Sequence, residues 1–201
     1  MEQEIQNALS VLRSGGTLLY PTDTVWGIGC DATSEKAVEK IFAVKKRAES
    51  KSLIVLVSDE GMLNRFVKNV PAIAWDLLDA NRGEDGSPSG KPITIIYDAA
   101  RGIAANALAE DGSIGIRMVK RASEGGNDFC HKMIHKFGRP IVSTSANISG
   151  MPAPQNFSGI SDEIIKAVDH VVNWGQHENR NAQPSSIIKL KENGEFLIIR
   201  E

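Results

Sequence analysis

Cysteine is scarce in this chain: Cys30 and Cys130 are the two among 201 residues. Such usage is expected of reduced thiols in a cytoplasmic protein, with one disulfide as the alternative. Aromatic residues make up 5 % of the chain, which counts against a protein that stacks single-stranded bases. No long apolar run is present, so no membrane span is expected. The start, Met1-Glu2-Gln3-Glu4, is acidic and lacks the basic and apolar stretches of a signal peptide. Twenty-three basic and twenty-five acidic residues leave a net charge of −2, so any attraction for anions must be local.

Familiar catalytic signatures are missing too. There is no Gly-x-x-x-x-Gly-Lys-Ser/Thr loop, and Gly27-Ile28-Gly29 falls short of a dinucleotide fingerprint. His131 and His135 have metal-compatible helical spacing, but no glutamate of the HExxH kind and no evident third ligand accompany them. Two surface histidines explain the pair as well, and no protein metal site is expected. Neither repeats nor a linker interrupt the sequence, so residues 1–201 read as one domain, long enough for a sizeable core.

What is present centres on Leu18 to Val57. The apolar run Leu18-Leu19-Tyr20 reads as a strand stopped by Pro21. Thr22-Asp23-Thr24 follows, a row of hydroxyl and carboxylate tips just past a strand end, where ligands of open α/β sheets gather. Gly27 and Gly29 read as turn positions that let the backbone bend or approach a ligand. Ser34 can cap a helix whose apolar face is Ala37, Val38, Ile41 and Phe42. That helix runs into Lys45-Lys46-Arg47, with Lys51 ahead of the strand Leu53 to Val57. Basic residues in a last helical turn can simply complement the helix dipole. A second stretch changes the balance. Pro140-Ile141-Val142 delivers Ser143, Thr144, Ser145, Asn147 and Ser149 in quick succession, either an ordinary solvated turn or a set of donors for phosphate and carboxylate.

The rest of the chain alternates. Residues 2–14 form a helix buried through Ile5, Ala8, Leu9 and Leu12 and ended by Gly15-Gly16. Ser58-Asp59-Glu60 caps a short helix, Pro71 opens another, and residues 81–92 form a polar Gly/Pro loop. A strand Thr94 to Tyr97, a helix near Ile103 to Leu108 and a strand Ser113 to Met118 come next. Asn127 can cap a helix with Cys130, Met133, Ile134 and Phe137 inward. Strand 141–143, a helix Ser161 to Val168, a strand at Val171-Val172 and a loop Gly175 to Gln183 follow. Strands Ser186 to Leu190 and Phe196 to Ile199 close the chain around Asn193-Gly194, a hairpin signal. The expected class is α/β: a mixed sheet, covered by helices and open on a concave face.

Together these stretches resemble the YrdC-like family, over nearly the whole chain and in the family's order. The motifs are Tyr20-Pro-Thr-Asp-Thr-Val-Trp-Gly-Ile-Gly-Cys-Asp-Ala32, Lys45-Lys46-Arg47 (its K-x-R), Ser113-Ile-Gly-Ile-Arg117, Ser145-Ala146-Asn147 (its S-x-N), Pro184-Ser185-Ser186-Ile187 and Ile199-Arg200. The resemblance implies a twisted open mixed sheet with a concave basic groove. It also implies synthesis of threonylcarbamoyl-AMP from L-threonine, bicarbonate and ATP with Mg²⁺, for tRNA modification. Joining two anions needs positive charge and fixed donors more than a strong base. Lys45 and Arg47 are accordingly the expected catalytic residues. Arg47, Lys51, Ser113, Ser145, Asn147, Ala153 and Arg200 are expected around ATP, and Thr24, Arg117, Ser143 and Ser185 around threonine. Implied partners are tRNA or double-stranded RNA and the proteins that transfer the threonylcarbamoyl group onward. A YciO-like paralogue with another acceptor, or an RNA-binding module without chemistry, are the alternative readings. Ala48, Leu56, Trp26 and the 81–92 loop depart from the family's usual residues, which bears on substrate fit more than on phosphate binding.

Overall fold

The structure is a computed structural model that describes residues 1–46, 53–81, 92–121, 128–178, 184–191 and 195–200. Helix α1 (Glu2–Arg13) buries Ile5, Ala8, Leu9 and Leu12 at one-face spacing, with Glu2 and Glu4 in its first turn and Arg13 in its last. Strands β1 (Leu18–Tyr20) and β2 (Gly27–Asp31) follow. Helix α2 (Glu35–Lys45) starts at Ser34, whose hydroxyl accepts from the Ala37 N–H. It stops at Lys46, a non-glycine residue in the left-handed region at φ 49°. The chain continues through β3 (Ile54–Val57), α3 (Glu60–Phe66), α4 (Ala72–Ala80), β4 (Ile93–Tyr97), β5 (Ile114–Met118), α5 (Asp128–Phe137) and β6 (Ile141–Ser145). Helix α6 (Asp162–Ala167), β7 (His170–Val171), β8 (Ser186–Leu190) and β9 (Phe196–Arg200) complete it.

The strands form one sheet in the order β7-β1-β2-β6-β3-β5-β4-β8-β9. Three neighbouring pairs are parallel (β1 with β7, β3 with β5, β4 with β8) and the others antiparallel, so the sheet is mixed as expected. Its register separates two faces, because residues paired across a ladder point the same way and neighbours along a strand alternate. Cys30, Val142, Val55, Ile116 and Ile95 lie in one row across β2, β6, β3, β5 and β4, and each is at most 3 % exposed. Helices α1, α2, α3 and α5 pack on the sheet, and this aliphatic row is the core beneath them. The next row, on the opposite face, reads Gly29, Ser143, Ile54, Gly115 and Ile96. Small and hydroxyl side chains there leave room for a cavity.

Several elements differ from expectation. Gly27 and Gly29 are not turn residues but lie within β2, between β1 and β6. Their lack of side chains serves packing: a Cβ at Gly29 would sit 2.7 Å from Tyr20 Cε1 and collide with the Val142 carbonyl. Replacing Gly29 with alanine is therefore expected to cost at least ~2 kcal/mol by overpacking, measurable as a lowered denaturant midpoint. Strand β6 runs past Ser143 through Thr144 and Ser145, so the last two hydroxyls sit on a strand rather than a loose turn. The expected helix at Ile103 to Leu108 is a single 3-10 turn, Ala105–Ala107. Cys30 and Cys130 are both buried and not joined in a disulfide, and burial pushes the Cys30 pKa up. Tyr20 is wholly buried. Trp26 packs on Phe157 with ring centroids 4.8 Å apart, and Trp174 stacks on Phe129 at 5.6 Å. These aromatic rings serve packing. Among the described residues, no helix is long and apolar enough to cross a membrane. The Asn193-Gly194 turn, the Asn127 cap and most of the 81–92 loop lie outside the described residues, although β8 and β9 pair antiparallel as a hairpin would.

Candidate functional site

A cavity of about 370 Å³ opens on the sheet face away from the core row. Register explains most of its wall. Ser145 pairs with Gly27, Ser143 with Ile54, Ile54 with Gly115, Thr94 with Ile187, and Ile187 with Arg200, while Arg117 follows Gly115 by two residues on β5. All of these line the cavity, as do Thr22, Thr24, Ala153 and Ser185 from neighbouring loops.

One end is cationic. Arg117 is 5 % exposed, and its Nη2 lies 3.0 Å from Asp23 Oδ1, a carboxylate with no exposed side-chain surface. Arg200 reaches the same end from the edge strand β9. Its Nε and Nη2 donate to the Ser185 carbonyl at 3.0 and 2.6 Å. Burial, and then the positive Arg117 nearby, pull the Arg200 pKa below its ordinary value. The Ser185 hydroxyl is 2.8 Å from that of Thr94, which ties β4 to the loop before β8. Thr22 knots the turn after β1: its hydroxyl donates to the Val25 carbonyl at 2.8 Å and accepts from the Thr24 N–H at 3.0 Å. That knot fixes Thr24, whose hydroxyl is 3.0 Å from Thr22 Oγ1.

The other end is built by β6 and the end of α2. Lys45 is 3 % exposed and donates from Nζ to the Ser145 carbonyl at 2.6 Å and to Asn147 Oδ1 at 3.2 Å. The Ser149 N–H donates back to the Lys45 carbonyl at 3.0 Å. Asn147 Nδ2 in turn donates to the carbonyls of Ile148 and Met151. Two stretches distant in sequence are thereby clipped together. The left-handed Lys46 turns outward and pairs with Glu163 of α6, so adjacent lysines have opposite fates: Lys45 inside, Lys46 on the surface.

Thr24, Arg117, Ser143, Ser145, Ala153, Ser185 and Arg200 thus share one cavity, with Lys45 and Asn147 bonded behind Ser145. Ser113 does not line it. Its hydroxyl and N–H both go to Asp111 Oδ1, at 2.5 and 3.0 Å, and these bonds with Lys189 hold Asp111 well below the usual carboxylate range. Arg47 and Lys51 lie outside the described residues, as does Ala48. Leu56 pairs with Arg117 across β3 and β5 and is fully buried. Sequence reasoning gave no role to Thr94 and saw Asp23 only as one of a polar row. The Thr-Asp-Thr run held a signal for the second, since a carboxylate so close to apolar strands needs a partner.

His131 and His135 stack with rings 6.1 Å apart, and His135 Nδ1 faces Asp59 Oδ2 at 3.5 Å. Among the described residues, no three His, Cys, Asp or Glu side chains are grouped to hold a metal ion, and none of the described residues lining the cavity carries a carboxylate.

The profile of the Sua5/YciO/YrdC family, described as "Telomere recombination", matches residues 10–201. A "Threonylcarbamoyl-AMP synthase" of Pseudoalteromonas translucida is 28 % identical over 92 % of this chain and 92 % of its own length. Among solved structures, that of Pyrococcus abyssi Sua5 complexed with L-threonine is 27 % identical with a TM-score of 0.77. The match covers 94 % of this chain but 52 % of that protein, so this chain spans about half its length. Escherichia coli YciO shares the fold, with a TM-score of 0.79 at 20 % identity over 100 % of this chain and 90 % of its own.

Proposed function

The chain belongs to the Sua5/YciO/YrdC family, and on that premise we propose that it joins L-threonine, bicarbonate and ATP into threonylcarbamoyl-AMP and pyrophosphate, in the cytoplasm, for N6-threonylcarbamoyladenosine modification of tRNA. The observation that carries the reading is the division of a single cavity: buried guanidinium at one end, strand hydroxyls backed by a buried lysine at the other. An amino-acid carboxylate suits the first and a phosphate chain the second.

In this reading Arg117 takes the threonine carboxylate, with Thr24, Ser143 and Ser185 as neutral partners of the amino acid. The threonine amine adds to bicarbonate with loss of water, giving a carbamate. Its oxygen then attacks the α-phosphorus of ATP, and the bond to the β-phosphate oxygen breaks to release pyrophosphate. Nucleophile and electrophile are both anionic, so the chain's contribution is to hold them in line and offset their repulsion. Lys45 and Arg47 are assigned that task. Lys51, Ser145, Asn147 and Ala153 are assigned to the phosphate chain, and Arg200, beside Arg117 at the guanidinium end, to the part of the nucleotide nearest the amino acid. Ser113 is assigned to the same side only indirectly, through Asp111 and β5. Mg²⁺ enters as MgATP, held by phosphates and water, which suits a cavity wall of hydroxyls and cations. The product is reactive, and passes to tRNA through separate transfer proteins or by direct contact with the RNA.

Pyrophosphate release from MgATP by the purified protein tests the proposal. Release that depends on both L-threonine and bicarbonate is the expected result. ATP binding without threonine-dependent release would overturn it in favour of a paralogue using another amine. Binding of double-stranded RNA without binding of ATP or threonine would overturn it in favour of an RNA module, whose affinity should fall steeply with salt.

A further inference from the structure

Behind the cationic end of the cavity sits a carboxylate with almost nothing to bind. Asp23 occupies the centre of the Thr22–Thr24 turn. Its neighbours line the cavity and it does not. Its side chain has no exposed surface, and among the described residues neither carboxylate oxygen has a hydrogen-bond partner. Arg117 Nε is equally bare. The two side chains approach through Nη2 and Oδ1, 3.0 Å apart. Buried polar atoms in folded proteins nearly always have partners. A buried ion pair this poorly bonded is a weak device for stability, since an apolar pair of similar volume would do as well or better. Its location suggests what it does instead.

Without Asp23, Arg117 and Arg200 would place two positive charges at one end of a cavity of about 370 Å³. Such an end would hold any compact anion, including phosphate or a simple carboxylate, and would repel the ammonium group of an amino acid. With Asp23 against Arg117, one of those charges is cancelled locally. The guanidinium still offers hydrogen bonds to a carboxylate, while the field felt by a nearby ammonium is reduced.

We propose that Asp23 is a positioning residue for amino-acid selection: lying against the Arg117 guanidinium, it offsets that charge, so that the cavity takes a zwitterionic amino acid in preference to a bare carboxylate. This rests on the reading of Arg117 as the carboxylate partner of threonine. Asp23 acts through Arg117 and touches no reacting atom.

Calorimetric binding of three probes separates this role from a merely structural one: L-threonine, 3-hydroxybutyrate (threonine without its amine) and MgATP. Wild-type protein should prefer L-threonine to 3-hydroxybutyrate. Asp23→Asn should weaken L-threonine about tenfold, tighten 3-hydroxybutyrate severalfold and leave MgATP nearly unchanged. Parallel changes in the first two, or none, would overturn the inference, as would wild-type protein binding both equally. Wild-type protein that binds L-threonine but releases no pyrophosphate would defeat the proposed synthase reaction and leave this comparison intact. Should Asp23→Asn not fold, wild-type protein carries the test: L-threonine should bind about tenfold more tightly than 3-hydroxybutyrate, and equal binding of the two would overturn the inference.

Discussion

Arg117→Ala is expected to raise the KM for L-threonine about a hundredfold or more while leaving that for ATP within a few-fold. The magnitude follows from what is lost. A hydrogen bond to a charged group contributes ~1.5–3 kcal/mol, and a guanidinium can make two of them to one carboxylate. Each 1.4 kcal/mol is about a factor of ten in affinity. The same substitution strips Asp23 of its partner. Removing one member of a buried pair costs ~3–5 kcal/mol, which at this chain length is about 10 °C in melting temperature. Kinetics must therefore be measured well below the lowered transition. Arg117→Lys keeps a charge but not the fork, and should fall between wild type and alanine for threonine. Equal losses for threonine and ATP would mean that Arg117 maintains the cavity as a whole rather than gripping the carboxylate.

How far the sequence reached into this site depended on distance along the chain. Local patterns served well. The stripe of Ile5, Ala8, Leu9 and Leu12, the Ser34 cap and the strand Leu18–Tyr20 each carry their instruction within a few residues, and the structure follows it. Gly27-Ile28-Gly29 carries none. Its strand conformation comes from pairing with β1 on one side and β6 on the other, and Tyr20 occupies the space that a side chain at Gly29 would fill. Thr144 and Ser145, expected in the turn after strand 141–143, went astray for a related reason. Hydroxyl residues favour turns in isolation, but here β2 holds them in the ladder.

The mixed sheet was foreseeable from the alternation of elements, but its order was not. Only that order sets Arg117 of β5 near Arg200 of β9, with β4 and β8 between them. Asp23 beneath Arg117 is the same kind of fact, a long-range contact that no periodicity encodes. The family resemblance supplied candidate roles for single residues. The structure adds which of them face one another, and it sets Ser113 aside from the cavity wall, bonded to Asp111.

Lys45 is where the second large effect is expected. Its ammonium is buried against the Ser145 carbonyl and the Asn147 amide oxygen, at the point where α2 meets β6. Two roles are compatible with that position: clipping the two elements together, and supplying positive charge where the phosphate chain lies. Lys45→Met separates them, because methionine retains much of the stem volume and loses the charge. If charge is the function, kcat should fall by about 10²–10³, the range seen when a single preorganised donor is removed from a transition state. The loss of the two hydrogen bonds should cost no more than ~1–3 kcal/mol in stability. If clipping is the function, the order reverses: the melting temperature drops and kcat, measured on the folded fraction, stays within a few-fold of wild type. Asn147→Ala sharpens the comparison, since it removes one acceptor of Lys45 and leaves the ammonium in place. It should reduce kcat less than Lys45→Met does if the charge acts on the phosphates, and by a similar amount if the clip itself is what matters.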